Sequence, residues 1–357
     1  MPLTEYGPVK KKNGNKVPRL LELDALRGLA ALGVLLFHYS YNQPGIHPGA
    51  QFRAGAASVD LFFMISGFVT LLSTNDKMRA KDYLLNRFSR LFPTYWFCVV
   101  CTSLVMVFTE PARFDVLNSL ANLSMLQTFM GVEDLDGSYW TLQIELLFYV
   151  WILSLFYLGK LEDIETAGVY TLSGIVLFHV LHHLYPDVYN FVQHKFSITN
   201  HFPLFLSGIL FYKIDQKGYS FKYVFLLLVS LGAALYCHDK GGRTLYLLSF
   251  KQHALLIVAF HLIFAMMLAG KLTFLKKPWL IFLGHISYSL YLLHQFIGLY
   301  LIRLLRSGMA VPVWLAILIA SGCMVYLAYL VTIYVEVPVL KLLRRRLRGP
   351  IQTELFL

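Results

Sequence analysis

Ten runs of predominantly apolar residues, 15 to 25 long, recur along this 357-residue chain. An α-helix needs about 20 apolar residues to cross the ~30 Å hydrocarbon core of a bilayer. Backbone between such runs cannot stay in lipid with its polar groups unsatisfied. The pattern therefore predicts an all-α polytopic membrane protein with about ten transmembrane helices. The runs cover residues 23–41, 59–73, 91–108, 139–158, 167–184, 198–212, 221–237, 253–269, 279–302 and 311–335. A composition 57% hydrophobic and only 14% charged excludes an ordinary soluble domain.

A formal net charge of +11 raises nucleic acid as a partner, but the positions of the charges argue against it. Lys and Arg cluster in short segments beside the apolar runs, as the positive-inside rule requires. With the N-terminus in the cytoplasm, 22 of the 31 Lys and Arg fall in cytoplasmic segments and eight in external ones. Residues 116–130 are too rich in Asn, Ser, Gln and Thr for a lipid-facing span and read as an external or re-entrant helix. Counting them as a span would put the two basic ends on opposite sides. The expected organisation is a basic cytoplasmic tail (1–22), a membrane domain (23–336) and a second basic cytoplasmic tail (337–357). The Lys-rich, polar N-terminus shows no cleavable signal peptide. Cys98, Cys101, Cys237 and Cys323 all fall in apolar runs, and the Cys98–Cys101 pair reads as helix packing.

Ionisable groups inside such runs cost about 2.5–3.5 kcal/mol each at a helix centre. The first run, LDALRGLAALGVLLFHYS, carries Arg27 and His38 eleven positions apart, so both face one way about 16 Å apart along the axis. Arg27 could snorkel to headgroups and His38 could be merely interfacial. The functional alternative is that both line a polar cavity within the bundle. Asp60 opens the second run near the external end of the first. It reads either as an N-cap or as the acid that orients His38 as a general base. Arg87 and Arg90, in RFSR, share a helix face on the cytoplasmic side and could grip phosphates. Glu145 sits inside the membrane boundary below Trp140, where packing alone does not explain a carboxylate. In LGHISYSLYLLHQF, Ser287, Tyr288, Tyr291, His294 and Gln295 form a polar stripe at helical spacing. His294 is a candidate ligand contact there. His179, His182, His183, His201, His261 and His285 have no evident partner and read as structural or interfacial.

These motifs, with the closing YVEVPVLK that holds Glu336 and Pro338, occur in an order that resembles the acyltransferase-3 family of integral membrane proteins over nearly the whole chain. The resemblance implies ten spans and transfer of an acyl group, commonly acetyl, from cytoplasmic acyl-coenzyme A to a carbohydrate hydroxyl across the membrane. It implies His38 as the catalytic histidine, Arg27 as its partner and Arg87 and Arg90 at the coenzyme A phosphates. Asp60 and Glu145 join His38 as catalytic candidates, and Arg27, Trp140, Tyr288 and His294 as substrate-binding ones. The chain departs from the family pattern at Leu146, where a second acidic residue often stands. The additional hydrolase-like domain of some members is not expected.

The function expected from the sequence is thus O-acylation of an extracytoplasmic carbohydrate, lipid-linked or not, in the inner or plasma membrane, with acyl-coenzyme A as donor and no metal. Direct deprotonation of the acceptor and a covalent acyl-histidine both fit the residues. A rival of another class is a transporter of lipid-linked sugars. Broken helices or half-repeats would favour it, and the sequence shows neither.

Overall fold

The computed structural model describes residues 20–74, 78–241 and 247–348, with two short paired strands, Val9–Lys10 and Lys16–Val17. Most of the basic N-terminal tail, Lys77, Arg243 and residues 349–357 lie outside the described residues. The helices are α1 (Leu21–Ser40), α2 (Ser58–Leu72), α3 (Ala80–Thr109), α4 (Val116–Asn122), α5 (Trp140–Tyr157), α6 (Ile164–Val180) and α7 (Pro186–Lys195). They continue as α8 (Ile198–Lys217), α9 (Phe221–Tyr236), α10 (Phe250–Leu268), α11 (Pro278–Leu293), α12 (Phe296–Met309), α13 (Val313–Val331) and α14 (Val337–Arg348). A π-helical turn, Thr332–Glu336, joins the last two.

Six of these stretches are long and apolar enough to cross a membrane: α2, α3, α5, α9, α10 and α13, some with their helical extensions. The bent pair α11–α12 makes a seventh, and α6 is apolar but shorter. α1 and α8 are 20 residues each but carry polar side chains at their inward faces. α8 is buried on every side from Asn200 to Phe211, packed among α2, α5, α6, α9 and α10. A helix enclosed by protein has no lipid to satisfy, which is why it tolerates more polarity than its neighbours. The molecule is a multi-pass helical membrane protein.

Glycines set the two closest helix pairs. A Cβ on Gly28 of α1 would lie 2.6 Å from the backbone nitrogen of Gly284 on α11, and one on Gly284 would strike the Asp24 carbonyl. Gly67 of α2 and Gly208 of α8 meet each other's helix backbones in the same manner. In lipid, helices associate through close van der Waals packing, and small residues permit that approach. The α1–α11 contact fixes the distance between the two helices that carry the histidines described below.

Two expectations are corrected. Residues 279–302, expected as one span, are not one continuous helix: it breaks at His294–Gln295 and α12 leaves α11 at 75°, a broken span if the pair crosses together. Side chains from elsewhere hold the break open. The Tyr39 hydroxyl donates to the His294 carbonyl (2.7 Å) and the Phe296 N–H donates to Asp136 Oδ2 (2.8 Å). Residues 116–130 form a helix only as far as Asn122. Asp115 caps its start by accepting from the N–H groups of Leu117 and Asn118 (both 3.1 Å). Asn122 ends it, donating to the Glu133 carbonyl (3.0 Å) and accepting from the Leu135 N–H (3.0 Å). The polar residues of this segment stitch a loop together.

Candidate active site

A cavity of about 750 Å³, open mouth included, runs between α1, α2, α3, α5 and α11. Its two ends differ: α1 and α3 bring arginines to one, and the start of α2 brings apolar side chains to the other. On α2, Val59 and Thr70 both line it and are about 16 Å apart along the axis. Arg27, Arg87, Arg90, Thr70 and Tyr149 surround one end, and Val59, Phe62, Phe63, Leu142 and Tyr291 surround the other. Glu145 lies between, the one carboxylate among the lining residues.

The arginines are not equivalent. Arg87 is 7% exposed and built into the wall. It donates to Ser73 Oγ and to the Thr70 carbonyl (3.3 Å), and its guanidinium lies over the rings of Tyr83 (5.2 Å) and Tyr149 (5.0 Å). Arg27 and Arg90 are half-buried, and among the described residues neither has a hydrogen-bond partner. Electrostatic interactions join Arg27 to Asp24, Glu336 and Glu145 and set it against Arg90. Glu336 is itself fixed by the Ser289 hydroxyl (2.8 Å) behind the cavity. Glu145 Oε1 accepts from Ser66 Oγ (2.9 Å) and from the Tyr149 hydroxyl, which fixes the carboxylate against one wall. Arg27 and Arg90, with Arg87 behind them and one lining carboxylate opposite, give this end a net positive charge of the kind that suits an anion with several oxygens.

A pair of histidines stands behind the apolar end, outside the residues that line the cavity. Tyr291 lines the cavity, and its ring lies 5.7 Å from that of His294, which is 5.0 Å from the ring of His38. His38 Nδ1 lies 3.0 Å from His294 Nε2 and 3.0 Å from the Val34 carbonyl, while His294 Nδ1 lies 2.8 Å from the Tyr291 carbonyl. One proton arrangement satisfies all three contacts, assigned from the network. His294 Nδ1–H donates to Tyr291, and His38 Nδ1–H donates both to Val34 and to the lone pair of His294 Nε2. The basic nitrogen of neutral His38 is then Nε2. The Val34 carbonyl sets this tautomer, and His294, expected as a ligand contact, lies against His38 as a second acceptor of the same N–H.

Asp60 does not orient His38. It is 1% exposed in the first turn of α2, makes no cap hydrogen bond, and takes other imidazoles. His253 Nε2 of α10 donates to Asp60 Oδ2 (3.0 Å), and His201 Nδ1 of α8 lies 3.6 Å from Oδ1. His238 extends the chain, its Nδ1 2.9 Å from His253 Nδ1. The reading of His201 as partnerless is likewise corrected. A signal existed: in the expected topology all three histidines stand at run ends on the same side as the start of the second run. Trp140 stands beside this cluster, its ring 5.7 Å from that of His201, and is not part of the cavity wall. Tyr288 does line the cavity, but its hydroxyl is taken by the Leu91 carbonyl (2.8 Å). Ser66 and Tyr149 were missed at sequence level. Tyr149 could have been found, since it lies four residues from Glu145 on the same helix face.

Comparisons with known proteins agree with this chemistry. Residues 20–333 match the acyltransferase-3 family, described as an acyltransferase domain. The chain is 22% identical to ORF330 of Acidianus two-tailed virus, which is named as an acetyltransferase, over 78% of this chain and 83% of that one. It is 24% identical to the exopolysaccharide production protein ExoZ of Rhizobium meliloti over 78% and 88% of the two chains. It is 26% identical to the peptidoglycan O-acetyltransferase OatA of Listeria monocytogenes over 36% of this chain and 22% of OatA. No solved structure matches the chain.

Proposed function

The chain belongs to the acyltransferase-3 family and is an acyltransferase, and on that premise we propose that it carries an acyl group, acetyl first among them, from cytoplasmic acyl-coenzyme A to a hydroxyl of a cell-surface carbohydrate. The single observation that carries this reading is the graded cavity. It presents arginines where a phosphate-rich headgroup would sit and ends in hydrocarbon beside a histidine pair. The names of ExoZ and OatA supply the acceptor class, a cell-envelope polysaccharide.

In this reading α1, α2, α3, α5, α6, α8, α9, α10, α11–α12 and α13 are ten spans with both ends of the chain cytoplasmic, in an inner or plasma membrane. The arginine end then faces the cytoplasm, as its position beside the basic segment 79–90 supports. Arg27 and Arg90 bind donor phosphates, Arg87 holds the wall, and Glu145 accepts N–H groups of the donor arm. His38 Nε2 removes the proton of the acceptor hydroxyl. The alkoxide oxygen bonds to the thioester carbon, the carbon–sulfur bond breaks, and the proton passes from the imidazolium to the thiolate. A variant in which Nε2 first takes the acyl group uses the same atoms.

One observation favours the rival, a transporter of lipid-linked sugars: the broken helix at His294–Gln295 is a feature such proteins share. Release of free coenzyme A from acetyl-coenzyme A by purified protein, with and without a peptidoglycan digest or an exopolysaccharide preparation, separates the two. Acceptor-stimulated release lost in His38→Ala is expected. Folded protein that releases no coenzyme A from any acyl donor, yet moves a lipid-linked sugar across vesicles, would overturn the proposal.

A further inference from the structure

The apolar end of the cavity carries a second piece of information, which rests on the acyl-transfer reading above. Tyr291 is pinned there. Its hydroxyl is 2.7 Å from Thr141 Oγ1 and 3.2 Å from the Ser138 carbonyl, and its own carbonyl accepts from His294 and from Ser138 Oγ (3.1 Å). Phe62 meets this fixed ring edge-on, at 5.7 Å and 72° between planes. Both side chains line the cavity, and Tyr291 also touches His294. The pair thus forms the wall between the donor cavity and the histidines. Phe62 differs from its neighbour Phe63, which is 3% exposed and locked against Phe205 and His201. Phe62 is half-buried and has no polar group to anchor it.

We propose that Phe62, closing on Tyr291, is the residue that sets the length of acyl group this enzyme transfers, holding it to short chains such as acetyl. A donor whose phosphates sit at Arg27 and Arg90 must bring its thioester past Tyr291 to reach His38. The acyl carbons beyond the carbonyl then lie against the Phe62 ring. Tyr291 cannot retreat without giving up its hydrogen bonds, so the space available is what Phe62 leaves. A pocket that lacks room for one methylene discriminates against it by roughly 10- to 200-fold.

The test is donor competition between acetyl-coenzyme A and butyryl-coenzyme A, read as the ratio of acyl groups transferred to a peptidoglycan digest or exopolysaccharide. Wild type is expected to favour acetyl strongly, and Phe62→Ala to lower the acetyl-to-butyryl ratio at least about tenfold. Phe62→Leu, which keeps hydrocarbon in the wall, should fall between the two and carries the test if the alanine protein does not fold. A folded variant with the wild-type ratio would overturn the assignment of Phe62 and leave acyl transfer standing. Wild type that transfers neither group would instead overturn the acyl-transfer reading, and this inference with it.

Discussion

His38 and His294, 256 residues apart in sequence, meet with Nδ1 of the first 3.0 Å from Nε2 of the second, and the Val34 carbonyl, 3.0 Å from the same Nδ1, leaves Nε2 as the basic nitrogen of neutral His38. The contact exists because α1 and α11 lie close enough at Gly28 and Gly284 for their backbones to touch. It is completed by the break after His294, where Asp136 takes the Phe296 N–H and Tyr39 adds a second donor to the His294 carbonyl beside the Gly298 N–H (3.1 Å).

From this pairing, His38→Ala should lower acyl transfer by about 10²–10⁴-fold, the span of a lost general base. His294→Leu removes one of the two acceptors of the His38 Nδ1–H, leaving the Val34 carbonyl, and should cost about 10-fold in kcat. His294→Gln keeps an amide oxygen able to accept from His38 Nδ1–H and should recover part of that loss. Turnover of acetyl-coenzyme A by the three proteins checks the order. Equal activity in His294→Leu and wild type would remove His294 from the mechanism.

Arg87 and Arg90 should separate in their effects although they lie in one motif. Arg90 lines the cavity without a hydrogen bond among the described residues, so Arg90→Ala should raise donor KM about 10- to 100-fold, the value of one charge-assisted bond to a phosphate, and spare the fold. Arg87→Ala strips Ser73 and Thr70 of their donor and leaves Tyr83 and Tyr149 facing a void, so it should lower thermal stability as well. Melting curves beside donor titrations distinguish them.

Much of the fold was legible because lipid imposes a simple rule: a run crosses as an apolar helix or not at all. The level of Arg27, Glu145 and the RFSR pair was legible for the same reason, since charges stand out against such runs. What pairs with what was not legible. Asp60 was matched with His38 by proximity in sequence, whereas its hydrogen-bond partner His253 lies 193 residues on. The inequality of Arg87 and Arg90 depends on Tyr149 and Ser73, contributed by α5 and by the residue that closes α2. The break at His294 depends on side chains of Tyr39 and Asp136, and the one local mark is Gly298, whose missing Cβ leaves room for the Tyr39 hydroxyl.

Outside the membrane segments, Glu110 at the end of α3 accepts from Arg303 of α12 (2.8 Å) and from Arg113 (2.7 Å). Burial pushes its carboxyl upward, but the two guanidiniums outweigh that and hold it below its ordinary value of 4.5. A carboxyl lowered in the folded state contributes stability that is full above its unfolded pKa and lost as pH falls through the folded one. Thermal stability should therefore drop from about pH 4.5 downward. Glu110→Gln should be less stable than wild type above that pH and flatter below it. Parallel melting curves in detergent from pH 3 to 7 check this, and identical profiles would discount the pair.

Asp60 supplies the sharpest contrast between what its sequence position suggested and where it lies. If it oriented His38, Asp60→Asn would reduce kcat in proportion to a lost orienting acid and leave the fold intact. In the structure it joins α2 to α10 through His253 and faces His201 of α8, all of them buried. Asp60→Asn can still accept from one imidazole, but the bond loses its charge assistance, and the amide N–H groups face ring nitrogens that already carry protons. The loss should be about 1.5–3 kcal/mol of stability. Residual activity per folded molecule should stay near wild type at temperatures where the variant is folded. Measuring turnover and melting on the same preparations separates the two roles: a large drop in kcat with unchanged melting would return Asp60 to the catalytic site.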